Sequence, residues 1–213
     1  MKKIYMLGDS VFDNKVYINQ GERDTKEWTE HFFKDHPTEI EFLALDGAVT
    51  ESVRDQQVSY IDEDAENITI SVGGNDLLRY VPLLETSQGT MEKTFSVFYE
   101  IRESFRDSYQ SMLEKIRDKA PKANILAFDI YYPFWEISSG RMLIPEFRNS
   151  LNQASRIAID LFNKAIRDFY KSDELISLSS VCSDKKHFAN PIEPSTLGSK
   201  SIAESIYKHF ALN

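Results

Sequence analysis

Three short runs along the chain carry side chains and amides that can do acyl chemistry. The first is Gly8-Asp9-Ser10-Val11-Phe12-Asp13-Asn14, the second Asp46-Gly47-Ala48, the third Gly73-Gly74-Asn75-Asp76. Ser10 offers a hydroxyl nucleophile. Gly47 has no side chain, so its amide can approach a ligand closely. Asn75 offers a carboxamide N–H that can point at the same oxygen. A nucleophile with donors aimed at a developing oxyanion makes an acyl-transfer site. Towards the C-terminus, Asp184-Lys185-Lys186-His187 and Asn190-Pro191-Ile192-Glu193-Pro194-Ser195 supply two further candidates, an imidazole and a carboxylate.

These runs meet only if the intervening elements bring them together. Lys3 to Leu7 reads as a buried strand, Ile40 to Leu45 as a second, Asn67 to Val72 as a third, Asn124 to Ile130 as a fourth and Glu174 to Leu178 as a short fifth. Between them lie helical patterns. Asp24 to Phe33 carries Trp28, Phe32 and Phe33 at helical spacing. A short helix starts near Thr50 or Ser52. Phe95, Phe98, Ile101, Phe105, Tyr109, Met112 and Ile116 form one apolar stripe, which Pro121 ends. Glu146 to Tyr170 is a second long helix, with Leu151, Ala154, Ile157, Ala158, Leu161, Ala165 and Phe169 as its inner side, and Leu197 to Phe210 is the last. Strands alternating with helices imply parallel pairing through right-handed crossovers and a three-layer α/β/α sandwich. Ligands of such sheets sit outside the carboxyl ends of the strands. Each of the three runs follows one of the first three strands, so Ser10, Gly47 and Asn75 are expected on one rim.

In this order, Gly8-Asp9-Ser10, Gly47 and Gly73-Gly74-Asn75-Asp76 resemble the first three sequence blocks of the SGNH (GDSL-type) hydrolases, and in layout the resemblance covers essentially the whole chain. It implies a flavodoxin-like fold with a five-stranded parallel sheet, and hydrolysis of an acyl ester without metal or other cofactor. It assigns Ser10 as nucleophile. The oxyanion hole falls to the Ser10 amide, the Gly47 amide and the Asn75 side chain. The fourth block departs from the family pattern of Asp, two residues, then His. Aligned on Gly198 and Ile202-Ala203, the His position is Glu193 and the Asp position is Asn190. The ending Asn190 to Ser195 is similar to that of a branch of these hydrolases. His187, with Asp184 three residues earlier, keeps the family's spacing six residues upstream.

Two bases are therefore available. In one reading His187 swings over Ser10 and Asp184 orients it, following Ser-His-Asp logic. In the other Glu193 takes the proton, which requires burial to lift a carboxyl from its ordinary pKa of about 4.3. A third reading is a site that binds an ester-like ligand without turning it over. A nucleotide-binding domain is disfavoured, because neither Gly-x-Gly-x-x-Gly nor a Walker pattern follows the first strand. Tyr131-Tyr132-Pro133-Phe134-Trp135 follows the fourth strand. It is either an apolar wall for the acyl group or a loop packed on the protein itself.

Composition narrows the classes. The chain has 213 residues, which fits one domain over 1–213. With 25 Lys+Arg against 34 Asp+Glu the net charge is −9, which disfavours nucleic acid and anionic membrane as partners. A mean hydropathy of −0.41 and the lack of a long apolar run argue against a membrane span. One cysteine, Cys182, excludes an internal disulfide and any cysteine-rich metal site, and reads as a buried structural thiol. Lys2 and Lys3 precede an apolar run that Gly8-Asp9 cuts short, so no signal peptide is read and a cytoplasmic location is expected. Nothing in the sequence marks an oligomeric state.

Overall fold

Along the first strand, β1 (Lys2–Gly8), successive side chains serve opposite faces of the sheet. Ile4 and Met6 join one apolar cluster, while Tyr5 and Leu7 join the other. A strand buried on both faces is the mark of a parallel sheet covered by helices. The computed structural model describes residues 2–80, 89–134 and 145–211, with the side chains of 145–152 outside that description.

Four further strands complete the sheet: β2 (Thr38–Phe42), β3 (Asn67–Ser71), β4 (Asn124–Phe128) and β5 (Leu175–Ile176). Their order is β2-β1-β3-β4-β5 and every pair is parallel. Helix α1 (Thr25–Phe33) and the last helix, α7 (Thr196–Ala211), pack together on the face of Ile4 and Met6. The other face carries α2 (Thr50–Ser52, extended by a π turn at Val53–Gln57), α4 (Met91–Lys119) and α5 (Pro145–Arg167). The expected three-layer α/β/α arrangement is what forms.

Local chemistry sets several boundaries. Asp24 caps α1 by accepting from the Glu27 amide, and Glu27 returns the bond to the Asp24 amide. The short α3 (Gly74–Leu78) begins straight after β3, and α6 (Leu178–Val181) straight after β5. After β1, residues 9–13 form a turn in which the Phe12 and Asp13 amides donate to the Asp9 carbonyl. Some sequence expectations fail in detail. On α4, Phe95 is 65 % exposed, while Ile101, Phe105, Tyr109, Met112 and Ile116 are buried. Along this helix periodicity continues where burial does not. On α5, Ile157 is 61 % exposed and Ala154 is also outside; Ala158, Ile159, Phe162, Ala165 and Ile166 face the core. A two-stranded hairpin, β6 (Phe188–Asn190) with β7 (Glu193–Pro194), escaped the sequence reading because its strands are too short to show a pattern.

Candidate active site

The register of β1 against β3 sets the floor of the site. Gly8 pairs with Ser71, and the next amide, that of Asp9, donates to the Ser71 carbonyl at 3.1 Å. A Cβ on Gly8 would meet the Ser71 carbonyl oxygen at 2.0 Å, so only glycine allows this approach. Gln57 clamps the same residue from the π turn: its Oε1 accepts from the Gly8 amide at 2.8 Å and its Nε2 donates to the Gly8 carbonyl at 2.9 Å. Ser10 stands two residues beyond that clamp. The Asp9 carboxylate accepts from the Val11 amide at 3.1 Å and braces the turn that presents Ser10. Burial, with Glu193 and Asp76 nearby, holds the Asp9 carboxyl well above the usual range.

Ser10 and Asn75 line one cleft that is partly open to solvent. Its wall comes from the strand ends: Val11 after β1, Val72 and Leu77 after β3, Ile130, Tyr131 and Pro133 after β4. Ile159 of α5 and Leu178 of α6 form buried parts of the wall, and Ile192 and Glu193 close the remaining side. One amino hydrogen of Asn75 Nδ2 goes to the Ala48 carbonyl at 3.0 Å, which leaves its second for a ligand. Gly47 lies next to Ala48 with φ +77, in a turn closed by the Ala48 amide and the Leu45 carbonyl at 3.0 Å. A Cβ there would meet nothing within 4 Å, so the backbone angle, not crowding, is what favours glycine.

The Ser10 hydroxyl donates to Glu193 Oε1 at 3.2 Å. Both residues are buried, Ser10 at 7 % and Glu193 at 6 % exposure. Burial pushes the Glu193 carboxyl up to about 7, with the charge of Asp46 adding to it and the Ser10 hydrogen bond opposing it. A carboxylate at that value has the basicity of an imidazole.

His187 and Asp184 make different contacts. The Asp184 amide donates to His187 Nδ1 at 3.2 Å, and the Asp184 carboxylate accepts from the Lys186 amide at 3.0 Å. Together they cap the 3-10 turn Lys185–His187. Neither lines the cleft that Ser10 lines. The Asp-x-x-His spacing that suggested a catalytic pair is here also the spacing of a capping turn. Partial burial lowers the His187 pKa against the pull of Asp184.

Tyr131 is buried with its ring edge-on to Phe188 at 5.0 Å, so the post-β4 segment is both cleft wall and packed loop. Trp135 lies outside the described residues, as do 81–88 and 136–144. Cys182 is buried, and burial pushes its thiol up to about 12. Three residues with bonds that matter to this site were missed in sequence: Gln57, Asn14 and Asp129. Asp129, also on the cleft wall, accepts from Arg167 and from the Leu178 amide, both at 2.8 Å. The only sequence signal for any of them was that Asn14 sits in the first run. Among the described residues no group of three or more His, Cys, Asp or Glu could hold a metal ion.

A doubly wound α/β/α protein with an apolar cleft at its strand ends is the class that fold and site define. The chain belongs to the GDSL-like lipase/acylhydrolase family, whose model matches residues 6–198. It is accordingly a hydrolase of ester bonds. Among solved structures it is similar to the lipase Lip_vut3 from a goat rumen metagenome, with TM-score 0.70, 20 % identity and coverage of 99 % of this chain and 98 % of that one. An extracellular lipase from Streptomyces rimosus gives TM-score 0.66 at 15 % identity over 96 % and 99 % of the two chains. Phospholipase A1 from Streptomyces albidoflavus NA297 gives TM-score 0.63 at 16 % identity over 96 % and 98 %. At such identities the likeness concerns the fold. No curated protein matches the chain. Among the described residues no helix is long and apolar enough to cross a membrane.

Proposed function

We propose that the chain hydrolyses small and medium acyl esters through a covalent acyl-enzyme on Ser10, with Glu193 as general base. The observation that carries this reading is the 3.2 Å contact between Ser10 Oγ and Glu193 Oε1 at the side of an apolar cleft. As Oγ attacks the ester carbonyl, its proton passes to Glu193. The amides of Ser10 and Gly47 and the free N–H of Asn75 receive the oxyanion. Glu193 then gives the proton to the leaving alkoxide, and the acyl group remains on Ser10. A water attacks that ester and loses a proton to Glu193, and as the acid departs Glu193 returns that proton to Ser10 Oγ, restoring the hydroxyl and the carboxylate.

A positioned base contributes about 10²- to 10⁴-fold to rate, and one oxyanion donor about 10²- to 10³-fold. Basicity near neutral pH is what lets a carboxylate replace an imidazole in this role. The largely apolar lining of the cleft suits an acyl chain.

Turnover of p-nitrophenyl butyrate and labelling by a fluorophosphonate test this. Ser10→Ala should abolish both, and Glu193→Gln should slow both by at least about 10²-fold. Undiminished turnover by Ser10→Ala rejects the nucleophile. A wild-type protein that folds, takes no label and turns over no ester is a binder instead.

A further inference from the structure

In a Ser-His-Asp triad a third side chain aims the base. The Glu193 carboxylate has no such partner: its Oε2 is buried and unbonded among the described residues. Something else must hold Oε1 on Ser10. Its own hairpin cannot, because β7 is only the two residues Glu193–Pro194.

The chain is tethered on both sides of Glu193. The preceding carbonyl, that of Ile192, accepts from the Tyr131 hydroxyl. On the other side the Pro194 carbonyl, one residue beyond that of Glu193 itself, accepts from Asn14 Nδ2 at 2.9 Å. The two donors arrive from different strand ends, Tyr131 after β4 and Asn14 from the Ser10 loop after β1. Both are themselves fixed. Asn14 is fully buried; its Nδ2 also donates to Ser199 Oγ at 2.7 Å, and its Oδ1 accepts from the Thr25 amide at 3.1 Å and hydroxyl at 3.3 Å. The Tyr131 ring is held edge-on by Phe188.

We infer that Asn14 and Tyr131 are positioning residues that aim the Glu193 carboxylate at Ser10 by holding the backbone on both sides of it. The inference rests on the reading of Glu193 as base. Asn14 reaches that backbone from four residues beyond Ser10, so one carboxamide ties the nucleophile's loop to the base's loop. A displacement of about 1 Å at a reacting group can cost about 10²-fold in rate, so such tethers bear on catalysis without touching substrate.

The test is kcat, KM, pH–rate profile and Tm for Tyr131→Phe and Asn14→Ser, beside Glu193→Gln. Tyr131→Phe keeps the ring and removes only the tether, so it decides the matter should Asn14→Ser not fold. The expected result for Tyr131→Phe is a fall in kcat of about tenfold or more with KM within about twofold. Its acid limb should move to lower pH, since a released carboxylate reaches water. Asp9, Asp46 and Tyr17, which also face Glu193, remain in every variant. Native kcat and an unmoved profile for Tyr131→Phe, with Glu193→Gln inactive, overturn the positioning role alone. A lower Tm with an unmoved profile does so too, since it marks a merely structural bond. Full activity in Glu193→Gln overturns the base assignment itself and this inference with it.

Discussion

Ser10 Oγ lies 3.2 Å from Glu193 Oε1, although the two residues are 183 positions apart in sequence. Among the described residues no cation pairs with the carboxylate in that contact; the charge that acts on it is Asp46, of its own sign. Its basicity therefore comes from exclusion of water, the route by which buried carboxyls in general become useful near neutral pH.

Ester hydrolysis should show an acid limb near pH 7. With Glu193 as the base, only its ionised form takes the Ser10 proton, and burial lifts that carboxyl to about 7. Below that value kcat/KM should fall about tenfold per pH unit. The titratable groups facing Glu193 are Asp9, Asp46, Tyr17 and Tyr131, and burial raises Asp9, Tyr17 and Tyr131 in the same direction. In His187→Ala the limb should stay where it is and kcat should remain within about twofold. Loss of the limb in that variant assigns it to the imidazole instead.

Stability should run against activity. The folded-state pKa of Glu193 lies above its ordinary value of 4.5, so the folded protein binds that proton more tightly than the unfolded chain. The stabilisation is complete below about pH 4.5 and is lost as pH rises through about 7. Glu193→Gln, neutral at every pH, should therefore be the more stable protein above pH 7, by up to about 3 kcal/mol, with the advantage fading towards pH 5. Urea unfolding of both proteins at pH 5 and pH 8.5 checks this; an advantage independent of pH disproves the account.

Acyl-chain preference should follow the buried wall of the cleft. Ile159 and Leu178 line it and are 2 % and 1 % exposed. Ile159→Phe should shift the preference among p-nitrophenyl esters towards shorter chains, lowering kcat/KM for octanoate by about tenfold while sparing acetate. Overpacking of this kind costs about 1–3 kcal/mol, so Tm is measured alongside. An unchanged chain-length profile places the acyl group elsewhere.

Much of the architecture is legible in residue order. Alternation in β1 and the stripe from Ile101 to Ile116 follow from elements that must bury one side, and the glycine-rich runs mark where strands stop. Because parallel strands put all their carboxyl ends on one edge, Ser10 and Asn75 share a rim by topology. The extent of cover is not written there: Phe95 and Ile157 continue their helical stripes but stand in solvent, since periodicity describes a helix and not its neighbours.

The fourth run shows the same division more sharply. Sequence alone leaves His187, Glu193 or neither as the base facing Ser10, since both candidates stand shortly before the last helix. Asp184 and His187 share a spacing that serves a capping turn as well as a catalytic pair, so spacing cannot choose. The hairpin of β6 and β7, held by Asn14 and Tyr131 from distant parts of the chain, turns Glu193 inward and leaves His187 on its turn. Burial then sets how basic Glu193 is. Local sequence determines which groups are present and which strand ends carry them. Aim and basicity depend on contacts between remote segments and on the water they exclude, and these exist only in the folded protein.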